Sequence, residues 1–423
     1  MFFRVQLENS IRKEQKMKTI ASLVSIALCL TTLGCERQAE STTETVAEVA
    51  EAASVTPTVP ERPSDSDLNA AKVYHHAVYM ETTAKDAGGT NRLLHTAKLP
   101  TEGADPVVTP ALDHIYTKAI LDLSDGPVLL ELPEVAADRY FSIQIADQEH
   151  YTIYDEIHPV GTYAFVRKGR EMETPDGATV IESRGDYPHL FLRAQVKNEA
   201  DLPNVHAIQA LIKLTAASSN PALVIEDPIQ FTLDTHDVYP QNIEVFKAAA
   251  GFGQEDYQRV SQYLGMVAPK FSATGNTGMF GPIDSDEPNS DDPETRAVAM
   301  IGHLGFPIHH AYYAPYFTNC SDEVLSGDRT EVFRFPYEPE GVELFWSVTR
   351  YSALTRNTLP GKNDLFNAYN TEPDSDGNIT VTFSVEDPSD GTYWMPVNSG
   401  EPYYFVVRYY KPDINNIPPK PCS

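Results

Sequence analysis

Asp113, His114 and Tyr116 place a carboxylate, an imidazole and a phenol at positions i, i+1 and i+3 of one stretch. At the entry of a strand, His114 and Tyr116 project to one face and Asp113 to the other. An imidazole oriented by a carboxylate can act as a general base or bind a metal. The same pattern also suits a polar turn leading into a strand, with Asp113 accepting from backbone N–H groups. Arg139 and Asp147 follow within the same 91–147 stretch and add a cation and a second acid. The expected catalytic set is Asp113, His114 and Tyr116, with Arg139 as a ligand contact.

A second group, His303, His309 and His310, precedes an aromatic run of Tyr312, Tyr313, Tyr316 and Phe317. Zinc sites take three or four protein ligands at recurring spacings, and this spacing is not one of them. The reading is therefore no metal, with interface packing beside the aromatics and with His309 and His310 as ligand contacts. Trp346, Trp394, Tyr351, Arg350 and Arg408 could form an aromatic and cationic surface for sugars or carboxylates. Of these, Trp346 is read as core, and Arg350 and Trp394 as ligand contacts. Asp374-Ser375-Asp376-Gly377-Asn378 fails as a calcium loop, because Ile379 stands where Gly is needed and Val385 where Glu is needed. It is read as a hairpin turn, and the acidic 284–294 loop as solvated. No Gly-x-Ser-x-Gly elbow, phosphate-binding loop, dinucleotide fingerprint or His-Glu-x-x-His occurs. Neither a cofactor nor a Ser or Cys nucleophile is expected. A hydrolase built on paired carboxylates leaves no local signature and stays open.

The elements that must hold these groups are mostly strands. Residues 68–83 come first and repeat Leu68, Ala71, Val73, Tyr74, Ala77 and Val78 at helical spacing, with His75 and His76 facing different parts of that helix. Strands are expected at 115–122, 128–132, 140–146, 151–157, 162–166, 178–182 and 190–196. Turns such as Ser124-Asp125-Gly126-Pro127 separate them. So many short strands predict a β-sandwich or jelly-roll-like module over 67–215. Residues 201–213 switch to a helical period, with Asp201 as N-cap and Pro203 in the first turn. Residues 216–305 read as a helical connector. Strands return at 330–335, 342–351, 379–385 and 403–410, predicting a second β module over 306–423. The fold class is mainly β within α+β: two modules joined by helices.

At 423 residues and 41% hydrophobic content the chain can bury two or three domain cores. A net charge of −28 disfavours nucleic acids and anionic lipid surfaces. Near the N-terminus, Met17-Lys18 leads into an apolar run over 20–33. That is shorter than the roughly 20 residues a spanning helix needs, and it reads as the core of a signal peptide ending at residue 35. Thr32-Leu33-Gly34-Cys35 is similar to the bacterial lipobox, with Leu33 one place late. Cys35 is the expected lipidation site, and Met1 or Met17 the start. Residues 36–66 have too few apolar anchors to order themselves and read as a tether. The expected location is the bacterial envelope, facing the periplasm or the exterior, with the lipid as sole membrane contact. In that oxidising setting Cys320 and Cys422 are expected to pair.

Two further sets of residues carry a resemblance. Asn91-Arg92, Tyr116, Leu121-Asp122-Leu123, Gly126-Pro127-Val128, Pro133, Arg139-Tyr140, Asp201-Leu202-Pro203 and Gln209 resemble the domain-of-unknown-function family twelve-fifty-four. Gly278-Met279-Phe280-Gly281, Arg296-Ala297, Phe345-Trp346-Ser347-Val348-Thr349, Tyr351, Asn357, Asp376-Gly377, Trp394, Pro396, Arg408-Tyr409 and Pro412 resemble its usual companion, family twelve-fourteen. The resemblance implies two β modules joined by helices in exported bacterial proteins, and no settled activity. The chain departs from the pattern at Ala111-Leu112-Asp113-His114-Ile115-Tyr116, where an Asn is lost and a His gained. It departs again at His309-His310.

Pockets favour domain interfaces. A cleft between the modules would draw Asp113, His114, Tyr116 and Arg139 from the first and His309, His310 and Arg350 from the second. The leading expectation is binding or processing of a small organic or saccharide ligand outside the cytoplasm. The alternatives are a hydrolase using carboxylate and His acid–base chemistry, and a non-catalytic assembly protein whose β surfaces form a homodimer.

Overall fold

Helix α1 (Asp65–Ala87) opens the computed structural model, which describes residues 61–100, 109–359 and 364–422. Cys35, the signal segment and most of the expected tether lie outside the described residues. The helix outruns the expected 68–83 because both ends are capped. The Ser64 hydroxyl accepts from the Asp67 amide, and Gly88, at φ 78°, returns its N–H to the carbonyls of Ala84 and Lys85. Asn69, Lys72, His76 and Thr83 are as buried as Leu68 and Val73. Among the described residues no helix is long and apolar enough to cross a membrane.

The first module pairs two sheets. One is five-stranded, ordered β1 (Leu94–His95), β2 (His114–Ile120), β8 (His189–Gln195), β4 (Phe141–Ala146), β5 (Thr152–Ile157). The other is ordered β7 (Thr179–Ser183), β6 (Gly161–Arg167), β3 (Val128–Leu132), β9 (Lys213–Thr215). Alternation along each strand decides what each face carries. Ile115, Ala119, Ile143, Leu190, Leu192 and Ala194 meet Leu130, Tyr163, Phe165 and Ile181 in one apolar core. The opposite face of β2 and β8 carries His114, Tyr116 and Lys118 beside Gln195, Arg193 and Phe191, paired in that register, with His189 at the far end. These residues are buried as well. Both faces of this sheet are covered.

Helices provide the cover. Helix α2 (Leu202–Gln209) closes the first module, and α3 (Pro228–Thr235), α4 (Ile243–Ala248), α5 (Gln254–Val267) and α6 (Pro293–Val298) form the connector. Helix α1 packs its Leu68, Ala71 and Val73 against Phe246, Val260, Leu264 and Ala297 of this group. Although it opens the first module in sequence, it is part of the connector's core. Near the end of the connector expected to be helical over 216–305, α6 stops at Val298 and the chain continues as turns. Gly278 takes φ 76°, and a Cβ there would collide with the Pro288 carbonyl, so the position favours glycine. That turn presents Met279 and Phe280.

The second module again pairs two sheets. One is ordered β10 (Ala311–Tyr316), β16 (Tyr403–Pro412), β12 (Val342–Ser352), β13 (Leu365–Asn367), and the other β11 (Glu331–Pro336), β14 (Asn378–Ser384), β15 (Tyr393–Pro396). Trp346, Phe405 and Val407 meet Phe333, Val381 and Phe383 between them. Strand β10 escaped the sequence reading because it carries Pro315. It is an edge strand, where a missing N–H breaks no ladder. Cys320 and Cys422 form the expected disulfide.

A seam joins the modules. The Arg408 guanidinium donates to the Thr109 carbonyl at 2.9 Å, the Tyr351 hydroxyl to the Pro110 carbonyl at 2.5 Å, and Thr109 Oγ1 meets the Tyr404 hydroxyl at 2.7 Å. His114 and Tyr140 pack among Phe345 and Tyr410, whose own rings stack at 4.1 Å.

Asp201 does not cap α2 with its side chain. Its two oxygens take the Arg139 fork at 2.6 and 2.7 Å, plus Asn204 and the Lys197 amide. Burial opposes the charge on Asp201, but the hydrogen bonds from Arg139 and Asn204 outweigh it and hold the carboxyl well below its ordinary range. The folded value lies below the unfolded value of about 3.9, so the stabilisation is complete above that pH and is lost as pH falls through the folded value. Asp201→Asn is expected to cost about 3 kcal/mol in urea unfolding at pH 7. The gap between wild type and variant should stay flat down to about pH 5 and narrow below about pH 4. The disulfide spans 102 residues. Replacing both Cys320 and Cys422 by Ser should remove about 2–4 kcal/mol, read as a lower Tm in calorimetry.

Candidate functional site

A cavity of about 190 Å³ lies where the two modules and the connector meet. The first module contributes Tyr116, Lys118, Phe191 and Arg193, the outward face of β2 and β8. The connector supplies Phe271, Met279, Phe280 and the 301–305 segment, and the second module Tyr313, Phe317, Arg356, Tyr404 and Arg408. Among the described lining residues there is no carboxylate. The cations are held in place. Lys118 Nζ donates to the Tyr79 hydroxyl at 2.5 Å. Arg193 donates to Gln144 Oε1 at 3.0 Å and to the Leu304 carbonyl, with its guanidinium 3.8 Å from the Phe306 ring centroid. Burial works against the charge on Arg408, but Tyr351, Tyr410 and Asp113 outweigh it, so the guanidinium stays charged.

Five of the chain's twelve histidines gather behind one wall of this cavity. His75 and His76 come from α1, His150 from the β4–β5 turn, His189 from the first position of β8, and His303 from the turns after α6. His76 Nδ1 stands 3.4 Å from His303 Nε2, and the His150 ring stacks on His303 at 4.5 Å between centroids. His75 meets the His303 ring edge-on at 4.7 Å, and its Nδ1 meets the Tyr257 hydroxyl at 2.8 Å. Burial lowers every one of these imidazoles, His75 to about 4 and His76 to about 3, so all are neutral at pH 7. Nε2 of His76, Nδ1 of His150, Nδ1 of His303 and both ring nitrogens of His189 are buried without hydrogen-bond partners. An unsatisfied buried polar group ordinarily costs about 1–3 kcal/mol. Two residues here hold left-handed backbone: His150 itself at φ 62° and Leu304, next to His303, at φ 57°. Such conformations are kept where the surroundings fix them. One nitrogen from each of His76, His150 and His303 lies within 4.8 Å of the others, which makes them the first group able to hold a metal.

The residues singled out in the sequence are distributed unequally. Tyr116 lines the cavity. Asp113 and His114, joined at 2.5 Å, are fully buried in the seam and are absent from the lining. Burial opposes ionisation of Asp113, yet His114 and Arg408 hold it down to about 2. It thus lies one layer behind the wall, coupled to the lining through Arg408. Arg139 is engaged by Asp201. Arg350 is fully buried and pairs with Asp364. Trp394 gives its indole N–H to the Ser384 carbonyl at 3.1 Å. None of these three is in the lining. His309 and His310 part from His303 and meet Asp155 at 3.0 and 3.5 Å, a second group with metal-ligand geometry.

His76, His150 and His189 escaped the sequence reading because their contacts join four separate elements, so no local spacing betrays them. One signal was present: His76 stands three residues after Val73 and four before Met80, on the apolar stripe of its helix.

Comparison with known proteins supplies the family. Residues 90–216 match the family model described as a protein of unknown function (DUF1254), and residues 310–414 that described as a protein of unknown function (DUF1214). No curated protein matches the chain. The crystal structure of the VPA0106 protein from Vibrio parahaemolyticus shares the fold, with TM-score 0.59 and 18% identity over 84% of this chain and 96% of that one. An uncharacterized protein from Burkholderia cenocepacia aligns with TM-score 0.45 and 15% identity over 81% of this chain and 84% of its own. The 217–309 connector, source of His303, falls between the two matched segments. In N-to-C order the chain carries one DUF1254 domain and one DUF1214 domain, the tandem its sequence resembles.

Proposed function

We propose that the protein is an envelope-anchored lipoprotein that binds a small organic acid in the cavity between its two β modules. The observation that carries this is the composition of the lining among the described residues: apolar walls and four cationic side chains, with no carboxylate among those described, inside a chain of net charge −28. An engineered cavity of about 150 Å³ accepts benzene, so a volume of about 190 Å³ suits a small aromatic or short-chain acid. The apolar body would pack on Phe191, Phe271, Phe280 and Phe317. The carboxylate, or a phosphate or sulfonate in its place, would meet Lys118, Arg193, Arg356 and Arg408, the arrangement that fork-shaped guanidinium groups recognise. The disulfide agrees with an oxidising compartment, which supports export and, with it, anchoring at Cys35. A hydrolase working through paired carboxylates would find no acid among the described residues of this lining.

The experiment is a thermal-shift and calorimetric screen of small aromatic and aliphatic carboxylates, each beside its neutral amide. At least one acid should raise Tm by several degrees while its amide does not. Arg356→Gln, which removes a half-buried lining cation, should weaken that acid about tenfold or more. Equal binding of acid and amide, or no stabilisation by any of them, overturns the proposal.

A further inference from the structure

We infer that His76, His150 and His303 form a binding site for a single late first-row transition-metal ion, set against the inner wall of the cavity. The inference does not depend on which ligand the cavity takes. It begins from donor chemistry. The three residues bring one nitrogen each to within 4.8 Å of the others, and all three are buried. Two nitrogens bound at about 2.0–2.1 Å to a tetrahedral ion stand about 3.4 Å apart. The His76 Nδ1 to His303 Nε2 separation is 3.4 Å. The His150 ring, stacked on His303, has to turn toward the ion to complete the set.

The surroundings favour an ion of a particular kind. Imidazole nitrogens suit zinc, copper, nickel and iron, whereas calcium and magnesium require oxygen ligands. No carboxylate belongs to the three-histidine group, and the buried Lys72 amine acts on both His76 and His150, so an anionic fourth ligand would be needed to balance the added charge. His303 is the one member of the set that also lines the cavity, and this directs the open coordination position toward it. His189, with both ring nitrogens unpartnered and its ring 5.5 Å from that of His76, stands beside the site as a further donor. His75 hydrogen-bonds Tyr257 while its ring presses on His303, which fixes the orientation of a ligand from outside.

The site has a rival in the same molecule, Asp155 with His309 and His310, and the two differ in donor type, three imidazoles against two imidazoles and a carboxylate. The test is a titration of the purified, chelator-treated chain with Co(II) and Cu(II), without any organic ligand. Wild type should bind one Co(II) per chain with the visible absorption of a low-coordinate nitrogen site. His303→Ala and His150→Ala should each weaken it at least about tenfold, and His309→Ala should leave it unchanged. Pulsed electron paramagnetic resonance of the Cu(II)-loaded wild type should count three imidazoles, a readout that needs no variant to fold. Three outcomes each overturn the inference: no binding by folded wild type, two imidazoles in place of three, or binding lost in His309→Ala and kept in His150→Ala.

Discussion

The outward face of β2 and β8 is the constraint around which the rest is arranged. Strand alternation sends one set of side chains into a wholly apolar core and the other set, with two cations and two histidines among them, to the opposite side. A polar face of this kind would normally meet water. Here it is buried, so each of its groups needs a partner from elsewhere in the chain. Lys118 finds Tyr79 of α1, Arg193 finds the Leu304 carbonyl of the connector, and Arg408 of the second module fastens to Thr109 just ahead of β2. The connector and the second module are held where they are by the needs of one sheet.

That arrangement gives the cavity and the histidine cluster a common origin. Read along β8, His189 lies in the cluster, Phe191 and Arg193 in the cavity wall, and Gln195 by the seam, where it accepts from the Tyr140 amide at 3.0 Å. Helix α1 covers the first end and the second module the last. The middle is bridged by the turns after α6, which span the gap without filling it. Glu149, in the β4–β5 turn, ties the first module to the segment between α3 and α4 by accepting from His236, Asn242 and the Tyr239 amide. Removing one of these donors would leave a fully buried acceptor with fewer partners, a loss that buried polar groups ordinarily feel strongly.

Much of the architecture was legible because it rests on local rules. Short alternating runs gave the strands, and Gly and Pro gave the turns. Residue pairs that carried the family resemblance turned out to be structural partners: Arg139 with Asp201, and Gly278 with the turn it closes. The site was less legible for the same physical reason. Asp113 and His114 look like chemistry because they are adjacent in sequence, yet adjacency at a strand entry next to a module seam sends both inward, where aromatic rings surround them. His76 and His303 touch across 227 residues, and nothing local records that contact. Tyr116 was found because it obeys both rules, sitting on a strand whose face happens to border the cavity.

Net charge is a poor guide to what such a molecule attracts inside. The 60 acidic residues against 32 basic ones make the chain as a whole repel anions. Screening confines that repulsion to about 10 Å or less at ordinary ionic strength, so it acts on approach and not at the bottom of a cavity. Within the cavity the nearest charges are Lys118, Arg193, Arg356 and Arg408, in surroundings where water screens them weakly. Asp113, a buried acid behind the wall, is paired with His114 and held ionised by His114 and Arg408. A small anion that enters therefore meets a potential opposite in sign to that of the surface it crossed. Its apolar body supplies the desolvation that strengthens the contact. The proposed preference for compact acids would thus rest on the interior charge, while the exterior charge would act on larger polyanions at approach, with no conflict between the two.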